Sequence, residues 1–114
     1  MSTEVNKNLS RRWHEQVFNQ RNVAAIDQFL HPDYVNHSAN IHGLAAAKEL
    51  FTNLIESAPD LQVQIEDLIA EGDKVVTRWT IREGGKTTAG IAIYRIEDGK
   101  IAEDWFHSTE LPQA

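Results

Sequence analysis

The chain has 114 residues, 17 acidic against 11 basic side chains for a formal net charge of −6, and no cysteine. That length suits one domain; the missing thiols exclude disulfides and thiolate chemistry, and the missing basic excess argues against a nucleic acid partner. No stretch nears the roughly 20 apolar residues that cross a bilayer, and the first residues hold no apolar signal-peptide core, so one cytoplasmic domain over 1–114 without a membrane partner is expected.

Before Pro59 apolar residues recur at helical spacing, and after it they alternate as in strands. A first helix is predicted over Thr3–Gln20, with Val5, Leu9, Trp13 and Val17 on one buried stripe and His14 and Phe18 in a row beside it. Asn22 reads as the N-cap of a short helix carrying Val23, Ile26, Phe29 and Leu30, stopped by Pro32. Tyr34 to Ser38 reads as a short extended segment. A third helix follows Gly43, with Leu44, Ala47, Phe51, Leu54 and Ala58 on one side, and ends at Pro59-Asp60.

Leu61, Val63 and Ile65 then alternate with polar residues, and three Gly-containing turns separate the strands Val75–Ile81, Thr88–Ile96 and Ile101–Thr109. Helices first and an antiparallel meander second make the fold class α+β. A three-residue Glu97-Asp98-Gly99 connection would pair Ile96 with Lys100, Tyr94 with Ala102, Ala92 with Asp104 and Gly90 with Phe106. Ile91, Ile93, Ile101, Glu103 and Trp105 would then occupy the opposite face.

Three segments occur together: His31-Pro32-Asp33-Tyr34-Val35-Asn36-His37, Ala70-Glu71-Gly72-Asp73-Lys74-Val75-Val76-Thr77-Arg78-Trp79-Thr80, and Tyr94-Arg95-Ile96-Glu97-Asp98-Gly99-Lys100-Ile101-Ala102-Glu103-Asp104-Trp105. Their order and spacing resemble the SnoaL-like polyketide cyclases, a branch of the nuclear-transport-factor-2-like superfamily that also holds ketosteroid isomerase and limonene epoxide hydrolase. The resemblance implies a cone-shaped α+β barrel, three N-terminal helices on a curved, mostly antiparallel sheet, with an apolar pocket at one end. It also implies a homodimer through the outer sheet face, which the apolar Ile91, Ile93, Ile101 and Trp105 would suit.

Carried over position by position, the cyclase Asp falls on Phe106 and its assisting His on Ala92. The epoxide hydrolase carboxylate also falls on Phe106, and its Arg and Asp partners on Trp79 and Ile81; the acidic oxyanion donor of the isomerase falls on Ala92. None of these can transfer a proton. Tyr34 and Asn36 resemble the water-holding Tyr-x-Asn of the epoxide hydrolase, His14 takes the place of the helix-one Tyr of the isomerase, and the isomerase base falls near His37 and Ser38. The family's inward row implies that Trp79, Tyr94 and Asp104 line the cavity.

Asp104 is the candidate acid/base, raised in pKa if buried among aromatic rings; its bland alternative is a solvated rim carboxylate. His14 is the candidate proton partner, or else a satisfied histidine at the core edge. Trp13, Phe18, Phe51, Trp79, Tyr94 and Phe106 form a substrate cage, the core, or both. Tyr34, Asn36 and His37 complete the substrate-binding set, although strand alternation turns His37 away from Asn36. Five histidines without a His-Glu-x-x-His helix make no metal site, and no cofactor is expected. The function expected is cofactor-independent acid/base chemistry, a cyclisation, isomerisation or hydration, on a hydrophobic oxygenated small molecule. The alternative is a non-catalytic module that holds a small apolar ligand in the same pocket.

Overall fold

A computed structural model describes residues 2–112; Met1, Gln113 and Ala114, part of the domain expected over 1–114, lie outside the described residues. Helix α1 (Thr3–Arg12) is capped by Ser2, whose hydroxyl accepts the Val5 N–H at 3.1 Å. The helix expected to reach Gln20 instead changes character at Trp13 and continues to Asn19 as a π-helix. Its Gln20 N–H reaches back five residues to Glu15 O. The change has a packing reason. Trp13 and Phe18, five apart, would diverge by about 140° on an α-helix, whereas i→i+5 bonding stacks them on one side. Their rings meet edge to face at 5.3 Å.

Leu9, Trp13 and Val17 are buried as the stripe predicts, with His14 and Phe18 beside them, but Val5 is 50% exposed. The face of α1 turned inward carries Asn6 and Ser10 in its place. Ser10 Oγ lies 2.7 Å from Thr77 Oγ1, and Asn6 Nδ2 donates to Gly72 O at 3.4 Å. A 3-10 turn (Val23–Ala25) leads into α2 (Ile26–Phe29), which ends before Pro32 because the chain is already extended at Leu30. Asn22 precedes that turn without a side-chain capping bond.

The strands are β1 (Leu30–Asn36), β2 (Ile41–His42), β3 (Gln62–Glu71), β4 (Lys74–Glu83), β5 (Lys86–Glu97) and β6 (Lys100–Glu110). They form one sheet in the order β2-β1-β6-β5-β4-β3, antiparallel except where β1 runs parallel to β6. Pro32 falls in the irregular stretch between Leu30 and Val35, where its missing N–H costs no ladder bond. Helix α3 (Leu44–Glu56) buries Ala47, Phe51 and Ile55 against the sheet, with Ala58 following; Leu44 is half-buried and Leu54 stays at the rim.

The β5–β6 hairpin departs from its predicted register. Asp98 and Gly99 both have positive φ, 53° and 72°, and form a two-residue turn that pairs Glu97 with Lys100 and Ile96 with Ile101. A bulge at Ala102 then shifts the ladder, so Tyr94 faces Asp104, Ala92 faces Phe106 and Gly90 faces Ser108. A turn one residue shorter would by itself reverse the faces of β6. The bulge restores them, and Asp104 and Phe106 remain on the core side. Ile101, expected on the outer face, is fully buried. That face keeps Ile91 and Ile93, 43% and 39% exposed, and the half-buried Trp105, crossed by an Arg95–Glu103 ion pair.

Candidate active site

The concave face of the sheet, the π-helix and α3 enclose a pocket of about 350 Å³. Sheet register assembles its polar floor: Asp104 on β6 stands between Tyr94 of β5 and Asn36 of β1. Trp13, His14, Phe18, Asn36, Phe51, Trp79, Tyr94, Asp104 and Phe106 all line the pocket. Tyr34 is fully buried behind Asp104 and acts on it rather than on the cavity. His37 is not part of the pocket. It points to the outer face, where its ring stacks flat on Trp105 at 4.6 Å and its Nε2 lies 2.9 Å from Glu103 Oε1. Alternation along the chain sends Asn36 in and His37 out.

The two oxygens of Asp104 differ. Oδ2 accepts the Tyr34 hydroxyl at 2.8 Å and Asn36 Nδ2 at 3.3 Å, while buried Oδ1 has no hydrogen-bond partner among the described residues. The Asn36 amide is held in this orientation because its Oδ1 accepts the Ala39 N–H at 2.9 Å. Burial pushes the Asp104 carboxyl up to about 6, against the Tyr34 hydrogen bond and the field of His37, which favour the carboxylate. Burial and the neighbouring Asp104 raise Tyr34 far above the usual phenol range, so it remains an O–H donor.

His14 belongs to a second polar unit. Its Nδ1 lies 2.8 Å from Ser10 O, which requires the proton on Nδ1. Nε2 is then the acceptor, taking the Tyr94 hydroxyl proton at 3.1 Å. Burial lowers His14 to about 4, against the Ser10 bond, and the ring is neutral at pH 7. Burial and the Asp104 charge raise Tyr94 well above the ordinary phenol value. No hydrogen bond joins His14 to Asp104 among the described residues; the partner of His14 is Tyr94.

These two buried groups should oppose each other in acid. Asp104, with a folded pKa raised from 3.8 to about 6, contributes stability below pH 3.8 that is lost as pH rises through 6. His14, lowered from 6.5 to about 4, contributes stability above pH 6.5 that is lost as pH falls through 4. Each amounts to something on the order of 3 kcal/mol, and the two nearly cancel between pH 6.5 and 4. Relative to the parent chain, Asp104→Asn should therefore lose stability on acidification across this window, and His14→Gln should gain it. Urea unfolding at pH 4, 5, 6 and 7 reads both slopes; parallel slopes in the two variants would contradict the assignment.

Outside the pocket, His31, Glu97 and Asp98 bring three potential metal ligands within 4.8 Å of one another. The Asp33 N–H donates to His31 Nδ1 at 3.0 Å, which leaves the proton on Nε2, the nitrogen facing the carboxylates at 3.4 and 3.7 Å. That neutral tautomer turns an N–H toward the two carboxylates and leaves no lone pair there for a metal.

Sequence reasoning missed Gly90 as a site residue. A Cβ there would meet the Trp79 ring at 2.1–2.5 Å, so the missing side chain is what lets the indole lie across β5. The legible signal was a glycine inside a strand pattern, which marks close approach. Gly90→Ala should destabilise the fold by about 1–3 kcal/mol through overpacking. Adding Trp79→Ala should recover part of that loss, measured as a non-additive double-mutant cycle in urea. Strict additivity would show that the indole can move aside freely. A further unpredicted contact ties the pocket mouth: both Asp60 carboxylate oxygens accept the Gly84 N–H, at 3.1 and 2.9 Å, holding the β4–β5 hairpin beside Glu83.

A family model for SnoaL-like domains matches residues 10–104. The chain belongs to the SnoaL-like domain family. No functionally curated protein matches it. Among solved structures, this SnoaL-like domain is similar to TsrD from Streptomyces laurentii, at 24% identity and a TM-score of 0.82 over 95% of this chain and 90% of the other. It also resembles a candidate polyketide cyclase from Acidithiobacillus ferrooxidans, at 22% identity and 0.80, over 95% and 91% of the two chains. A candidate ketosteroid isomerase from Kribbella flavida follows at 19% identity and 0.81, over 98% and 83%. At these identities the likeness is one of fold: helices on a six-stranded, open, mostly antiparallel sheet. Within the SnoaL-like domain, Phe106 and Ala92 face each other across β5 and β6, two residues along from the Asp104–Tyr94 pair.

Proposed function

We propose that this SnoaL-like domain is a small-molecule enzyme that moves protons without a cofactor, with Asp104 as the base and acid. The observation that carries the reading is the asymmetric carboxylate: one oxygen held by Tyr34 and Asn36, the other buried beside an apolar pocket without a partner. A carboxyl raised to about 6 is ionised at neutral pH and basic enough to take a proton from carbon next to a carbonyl. It can return that proton elsewhere on the skeleton, which completes an isomerisation or an intramolecular ring closure with no net change in protons. Tyr94, whose hydroxyl proton is bonded to neutral His14, offers its oxygen as an acceptor for a substrate hydroxyl, and the aromatic wall takes the carbon skeleton. His14 thus acts through Tyr94.

Phe106 and Ala92, apolar at the positions where relatives carry their acid and histidine, favour a second reading, a binding module without turnover. Hydrogen–deuterium exchange at carbon α to a carbonyl separates the two. A panel of hydrophobic ketones is incubated with the protein in D2O and followed by proton NMR. Catalysed exchange that disappears in Asp104→Asn supports the enzyme; binding without exchange by the parent chain supports the module.

A further inference from the structure

Asp104 lacks a positive partner in its own pocket. It is 6% exposed, and among the described residues Oδ1 makes no hydrogen bond and no Lys or Arg lines the pocket. Each surrounding element offers the carboxylate something other than a cation. The π-helix brings neutral His14, β5 the phenol of Tyr94, and β1 the donors Tyr34 and Asn36, both to Oδ2. Helix α3 contributes Leu50, Phe51 and Leu54, and the other lining carboxylate is Glu83 of β4. His37, whose field reaches Asp104, sits on the far side of the sheet bonded to Glu103. An anion entering this space meets two carboxylates and no cation. An ammonium ion meets a carboxylate with one unpaired oxygen and the lining rings of Trp13, Trp79 and Phe106, and aromatic π-systems attract positive charge.

We propose that this pocket binds protonated organic amines, with Asp104 as counter-ion and the aromatic wall around the carbon skeleton. The inference rests on the pocket as a ligand site and not on proton transfer. A carboxylate oxygen engaged by an ammonium ion cannot accept a carbon-bound proton, so amines compete with turnover and form a second ligand class.

Three probes of one skeleton test it: phenylbutylamine, phenylbutanol and phenylbutanoate, titrated by calorimetry and tryptophan fluorescence. At pH 8 the amine should bind at least about tenfold more tightly than the alcohol, and the carboxylate most weakly, as expected for a charge-assisted hydrogen bond. Asp104→Asn should bring the amine and alcohol affinities within about threefold of each other. Should that variant not fold, the parent chain carries the test through pH: amine affinity falls as Asp104 is protonated below about 6, and alcohol affinity does not. An alcohol as tight as the amine, or an amine affinity flat from pH 8 to 5, overturns the amine assignment and leaves the pocket reading intact. Failure of all three probes to bind overturns both.

Discussion

Asp104→Asn is expected to slow α-proton exchange by about 10²–10⁴-fold, the range that a positioned acid/base contributes. The asparagine keeps an oxygen for the Tyr34 hydroxyl and for Asn36, so the buried network behind the pocket survives while the basic oxygen is lost. Ligand affinity for uncharged ketones should accordingly change little, and kcat should carry the effect. In the parent chain, exchange should rise with pH to a plateau above about 6, because the base must be ionised and burial has moved its titration there. A variant that retains parent-like exchange, or a profile that levels off near pH 4, would remove Asp104 from the chemistry.

Trp13→Ala should be the most damaging single change to stability, at about 3–5 kcal/mol. The indole is almost fully buried and meets Phe51 at 5.1 Å, Phe18 at 5.3 Å and Phe29 at 6.0 Å, so its removal leaves a cavity lined by rings from three elements. Against a typical domain stability of about 5–15 kcal/mol, that is about a fifth of the margin or more. The urea midpoint reads the loss, with Val5→Ala as the control. Val5 was expected on the same stripe but stands half exposed, and its truncation should stay within about 0.5 kcal/mol. Equal effects at the two positions would mean that the stripe, not the ring cluster, holds the helix.

Much of the fold was legible because strand alternation and glycine turns are local signals. The meander, the helix after Gly43 and the shared inward face of Tyr94, Ala92, Asp104 and Phe106 all follow from period and punctuation. Two errors in the hairpin left that inward face unchanged: the turn is one residue shorter than read, and the bulge at Ala102 adds one back. Neither error is visible to periodicity, since Asp98 in a left-handed conformation serves as well as a longer loop. The π-helix was hidden for a related reason. Trp13, His14, Val17 and Phe18 suit an α-helical face, and only the Trp13–Phe18 contact demands the wider turn.

The site was partly legible. That Asp104, Asn36 and the rings of Trp13, Phe18, Phe51, Trp79, Tyr94 and Phe106 share one cavity follows from the resemblance together with alternation, whereas Tyr34, expected in the same set, lies behind Asp104. The separate Tyr94–His14 unit could not, because it depends on the Ser10 carbonyl fixing one tautomer of a ring far away in sequence from Tyr94. Asn6 and Ser10 went unread because hydrophobic patterning assigns polar residues to the surface. His37 shows the limit of position-by-position transfer: a one-residue offset near the end of a strand moves a side chain from pocket to outer face.

The Ala102 bulge also bears on how this chain could diverge over time. It sits between the hairpin tip at Asp98-Gly99 and the part of β6 that lines the pocket, and absorbs the phase of one against the other. Insertions at the tip can be offset there, so the tip is free to lengthen or shorten while Asp104 keeps its place opposite Tyr94. Loss of Ala102 itself leaves the register intact: with the extra residue gone, Ile101 still pairs with Ile96 and Glu103 with Arg95, so Asp104 stays opposite Tyr94 on the inner face. Ironing out the bulge while keeping the residue is what would exchange the two sides of β6, since unbroken pairing from the turn would bring Glu103 opposite Tyr94 and turn Asp104 outward.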